Sequence, residues 1–152
     1  MSNCQPTVVV IEQAAPVLLP LIARGPAGPQ GAPGPSGGNA VQRAAGEVLS
    51  ALRVVYELDG EVFSLDPADA AHVDQVLGVT LTSALLGQPI NVQRAGTLDD
   101  ATWAFAPGPV WLGAAGSLTQ LPPAGGFDVL IGAAVSATRI NLNIQEPIDL
   151  TE

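Results

Sequence analysis

The sequence predicts an all-β protein: a compact antiparallel β-barrel or β-sandwich head at residues 39–152, carried on a short collagen-like triple-helical stalk and homotrimeric. Three observations predict it. Short runs rich in Val, Ile, Leu and Thr recur from residue 47 to 145 with turn residues between them. Residues 25–38 read "GPAGPQGAPGPSGG", with glycine at every third position. Only 12% of residues are charged against 47% hydrophobic, ample for a core and too apolar for a disordered chain.

The head begins after Gly38. "EVLSALRVVYEL" (47–58) reads as a strand ending at Asp59-Gly60, and "EVFSL" (61–65) follows. Asp-Gly between β-rich flanks is a strong hairpin signal, because both positions of the favoured turn need positive φ. "PADAAHVDQV" (67–76) is the one stretch with helical character, a single turn with Asp66 as its cap. "QVLGVTLTSA" (75–84) leads into a turn at Gly87-Gln88-Pro89 and a strand at 90–96. "VWLG" (110–113) and "SLTQL" (117–121) flank Ala114-Ala115-Gly116. "FDVLIGAAVSA" (127–137) precedes "RINLNIQ" (139–145). The latter alternates strictly, with Arg139, Asn141, Asn143 and Gln145 on one face and Ile140, Leu142 and Ile144 on the other. About seven to nine short strands in this length suggest a small barrel or sandwich.

In the stalk, Gly25, Gly28, Gly31, Gly34 and Gly37 keep a period of three, and each of the four triplets holds a proline at its second or third position. Three polyproline-II strands winding together bring every third residue to a crowded axis where only glycine fits. Proline fixes φ near the required value. A single-chain Pro/Gly linker is the alternative. Four triplets give a rod of only about 35–40 Å. So short a rod needs a trimerising domain beside it, and the head is the candidate.

Residues 1–24 read as an extended apolar arm. Val8, Val9, Val10 and Ile11 are β-branched, Val17, Leu18 and Leu19 follow, and Pro16 and Pro20 exclude a helix interior. Such an arm either folds back on its own domain or docks into a partner protein, and the intervening stalk favours docking. Pro16 and Pro20 also break the longest apolar run, so no membrane insertion is expected. The start "MSNCQPT" lacks a cationic leader, which reads as a mature terminus made in a cytoplasm. Cys4, the one cysteine, has no intrachain disulfide partner. It is either an inert thiol or, in a trimer, an intermolecular crosslink formed in an oxidising exterior.

The charge excludes one class of partner. All five cations are Arg, set against 14 acids for a net −9, so no nucleic-acid partner is expected. The residues present offer little catalytic chemistry. Without Lys there is no P-loop lysine and no Schiff base. One His and one Cys cannot build a structural zinc site, and no cofactor is implied. His72, near Asp66, Asp69 and Asp74, reads as a solvated loop histidine rather than a base or ligand. The groups Glu57/Asp59/Glu61 and Asp99-Asp100 read as solvated surface rather than a glycosidase pair or a weak Ca²⁺ site; the spacing is not that of an EF-hand. No enzymatic activity is expected. Trp103, Phe105 and Trp111 flank the "APGP" loop (106–109). They read as core under that loop, with a ligand-binding contact through Trp103 and Trp111 and an interchain seam as alternatives.

The order of arm, G-X-Y stalk and β head resembles the small collagen-like virion structural proteins of tailed bacteriophages, of the tail-fibre, head-fibre or decoration kind. The phrases that carry it are "VLGVTLTSALLGQPINVQRAGTL" (76–98), "PGPVWLGAAGSLTQLPPAGGF" (107–127) and "IGAAVSATRINLNIQEPIDL" (131–150). The resemblance implies a non-enzymatic homotrimer on a virion surface, its arm attached to capsid, neck or tail proteins. The alternative within that class is an adhesin whose head recognises a host surface receptor, a glycan or a protein. The short stalk shifts weight toward a compact appendage.

Overall fold

The computed structural model describes residues 39–151. Expectations for the arm (Val8–Ile11, Val17–Leu19), the stalk glycines (Gly25, Gly28, Gly31, Gly34, Gly37) and Cys4 lie outside the described residues.

The described residues form twelve strands, of which three are only two residues long, which is why the count exceeds the seven to nine expected. Five strands close a barrel: β1 (Ala40–Ala45), β2 (Val54–Leu58), β3 (Glu61–Ser64), β4 (Val76–Thr80) and β5 (Pro89–Gln93), in the order β1-β3-β2-β4-β5. A second five-stranded sheet has the order β6-β11-β10-β7-β8, from β6 (Ala95–Asp99), β7 (Gly108–Leu112), β8 (Leu118–Thr119), β10 (Leu130–Ser136) and β11 (Arg139–Asn143). The short strands β9 (Phe127–Asp128) and β12 (Ile148–Asp149) pair with each other. The expectation of an antiparallel head holds for every pair but one. β1 runs parallel to β3, because the β2–β3 hairpin folds β3 back into the gap beside β1.

That hairpin turns where its sequence demands. Asp59 and Gly60 have φ of 53° and 86°, the double positive φ of a turn that matches strand twist. The expected helical turn over 67–76 is mostly absent. Asp66 Oδ1 accepts the Ala68 N–H and Asp69 Oδ1 the Ala71 N–H, so local turns outcompete the helix, and only Val73–Gln75 form a short 3₁₀ turn.

Two cores result. Ala45, Leu49, Val55, Val62, Ile90 and Val92 fill the barrel. Val54, Leu65, Val73, Val79, Leu98, Val110, Leu112, Val129, Ile131, Ala134, Ile140 and Leu142 form a larger core that includes strands of both sheets, and Tyr56, Trp103, Phe105, Leu118 and Phe127 pack against it. β2 is the shared wall. Successive strand residues face opposite ways, so Val54 joins the larger core and Val55 the barrel core, both fully buried. Burying each such side chain contributes about 1.5–3 kcal/mol.

Close backbone approach explains two glycines. A Cβ on Gly132 would collide with the Asn141 carbonyl of the neighbouring β11, and one on Gly78 with the Gln93 carbonyl of β5. Thr80 secures the loop before β2. Fully buried, its hydroxyl donates to the Ser50 carbonyl (2.8 Å) and accepts the Arg53 N–H (2.9 Å). Its carbonyl accepts the Leu52 N–H (2.8 Å), which holds Leu52 at φ 61°, a conformation side chains resist.

Candidate functional site

Several of the residues singled out for chemistry are engaged in structure. Glu57 accepts the Arg43 Nε–H at 2.8 Å, and Asp59 is the turn residue. Asp99 pairs with Arg139 at 2.7 Å, while Asp100 accepts both the backbone N–H and the hydroxyl of Thr102, which lower its pKa. Among the described residues no three His, Cys, Asp or Glu side chains converge as a metal-binding group.

His72 is not the solvated histidine its neighbours suggested. It is half-buried, with Nδ1 2.8 Å from Asp69 Oδ2, and its ring stacks on Tyr56 with centroids 4.3 Å apart and planes 8° from parallel. Tyr56 stacks in turn near Phe63 (5.5 Å). Burial raises the Tyr56 pKa above its usual value, helped by the negative charges of Asp69 and Glu47. Sequence spacing hid this cluster, because Tyr56 reaches His72 across the β2–β3 hairpin.

The two tryptophans are not brought together. Trp103 packs against the larger core, its ring 5.4 Å from that of Phe105. The loop between Phe105 and β7 is pinned by Gln120, whose amide donates to the Ala106 carbonyl (2.6 Å) and accepts the Ala106 N–H (3.0 Å). Trp111 lies between Val110 and Leu112, which point into the core, so its own side chain takes the opposite face of the sheet. There it lines a shallow groove with Pro109, Asp128, Leu130, Glu146 and Ile148. Ile148 is 61% exposed. A groove lined by apolar side chains and two carboxylates suits a contact surface, and Trp111 rather than Trp103 is the aromatic available to it.

Two further surfaces lie at opposite ends of β1. At the far end, Val48, Leu85 and Leu86 are exposed at 70%, 66% and 66%. They sit on two loops joined by reciprocal Leu49–Ala84 backbone bonds of 2.8 and 2.9 Å, so this apolar tip is held by hydrogen bonds despite being loop. Sequence reading missed it, since "SALLGQP" looks like strand end plus turn. At the near end, the Asn39 carbonyl accepts the Arg94 N–H at 2.6 Å. Arg94 lines a cleft with Asn39, Asp74, Leu77, Asn143 and Glu146.

Among the described residues no helix is long and apolar enough to cross a membrane. Neither a scan against protein-family models nor a search of curated proteins returned a match to this chain.

Proposed function

We propose that this chain is a non-enzymatic structural protein of a bacteriophage virion: a homotrimeric appendage, a decoration or fibre protein on capsid, neck or tail. The arm at residues 1–24 anchors it, the stalk at 25–38 aligns three copies, and the head at 39–152 trimerises and presents a surface. It is made in the host cytoplasm and resides on the virion surface. The observation that carries the reading is the five-glycine register of residues 25–37, set immediately before a β head. The head supports the reading through its arrangement. Among the described residues, two cores are each assembled from head side chains. The chain reaches it at one end of β1 and leaves the Val48/Leu85/Leu86 tip at the other.

The test is incorporation. Particles assembled with a chain lacking residues 1–24 should lack the protein, while the truncated chain itself remains folded and trimeric. Normal incorporation of the truncated chain would refute the anchoring role.

One observation favours a second reading, that of a host-binding adhesin. The Trp111 groove combines an aromatic ring, apolar neighbours and carboxylates on one open sheet face. Binding of host surface glycan or protein by the head, lost on Trp111→Ala and kept on Trp103→Phe, would establish it.

A further inference from the structure

We infer that the heads contact one another around Asn39, with Arg94 of one copy paired to Glu146 of the next. The inference rests on the trimeric reading and adds the surface through which the heads meet.

In a triple helix Gly37 sits at the shared axis. Two residues span at most about 7 Å, so Asn39 of every copy lies close to that axis. A head of about 110 residues has a radius of gyration near 13 Å. Three bodies of that size, each tethered so closely to one line, must touch beside Asn39. The surface there is the near-end cleft, with the crossover from β5 to β6 stitched to Asn39 through the Arg94 N–H.

Charge selects the pair. Each copy carries −9, so bringing three together is repulsive unless the contact holds cations. Among the four described arginines, Arg43 and Arg139 are matched to Glu57 and Asp99 within the chain. Arg53 is half-buried in the loop before β2. Arg94 is exposed and forms no ion pair among the described residues, although Asp74 and Glu146 line the same cleft. Glu146 is exposed on the segment after β11 and also borders the Trp111 groove, so its side chain stands at the rim between two concave surfaces. A cation and an anion on one cleft, neither satisfied by the other, form a head-to-tail contact that closes as a ring of three.

The test uses the full chain and sedimentation across a concentration series, with circular dichroism to verify folding. Arg94→Glu should raise the concentration of half-dissociation at least tenfold. The double variant Arg94→Glu/Glu146→Arg, which reverses the pair, should restore it to near the wild-type value. A wild-type trimer unaffected by Arg94→Glu would overturn the inference and leave the trimeric reading standing. Loss without rescue would overturn the pairing with Glu146. A monomeric wild-type chain would overturn both readings.

Discussion

The barrel core and the larger core next to it solve the same problem with different means. Inside the barrel, six residues suffice because the wall is closed, and backbone approaches closely where glycine permits it, as at Gly78 against the Gln93 carbonyl. The larger core joins barrel strands to an open sheet and needs twelve buried residues, with aromatic side chains packed against it. Among the described residues, aromatic side chains pack against the open region's core and none against the closed one's. Both meet at β2, where adjacent valines serve opposite sides, so neither core is expected to melt without the other.

Cavities should distinguish the two cores most strongly. Ile131→Ala, in the larger core, should cost about 3–5 kcal/mol; Ile90→Ala, in the six-residue barrel core with fewer side chains around the cavity, about 2–3 kcal/mol. Denaturant titration should show one transition for each variant. Two separate transitions would mean that the shared β2 wall does not couple the cores.

Overpacking comes next. Gly132→Ala places a methyl against the Asn141 carbonyl and the Leu142 backbone, so β10 and β11 must separate. A loss of about 1–3 kcal/mol is expected by thermal or denaturant unfolding. An unchanged midpoint would show that the open sheet yields where the barrel does not.

The smallest effect is electrostatic. Tyr56 is the one tyrosine in the chain, so alkaline absorbance titration reports it alone. Its midpoint should lie above 10, because burial and the charges of Asp69 and Glu47 disfavour the phenolate. The sign follows from proton binding: with the folded pKa raised, the unfolded state loses its proton first. Stability is therefore complete below about pH 10 and falls as pH rises through the folded value. Tyr56→Phe should remove that dependence.

Much of the head was legible in residue pattern. Asp59-Gly60 announced its hairpin, and β11 alternates as written, with Ile140 and Leu142 buried and Arg139, Asn141 and Asn143 exposed. Local pattern failed where distant pairing decided the outcome. β1, "AVQRAA", has little strand propensity and becomes a strand by lying between β5 and β3. Residues 90–96 read as one strand but divide at Arg94, since β5 closes the barrel and β6 joins the other sheet. The expected strand 47–58 is regular only from Val54, because Thr80 captures residues 50–53 in a turn. The faces taken by Trp103 and Trp111 depend on sheet register, and β10 carries a register shift opposite Trp111 that no spacing in the sequence encodes. The Val48/Leu85/Leu86 tip likewise needs two loops 35 or more positions apart to meet.

The most direct measurement is the native mass of the full chain by sedimentation at micromolar concentration. Three strands sharing an axis require a particle of about three times 15.4 kDa. A species of 15.4 kDa that stays monomeric as concentration rises would contradict the account at its root.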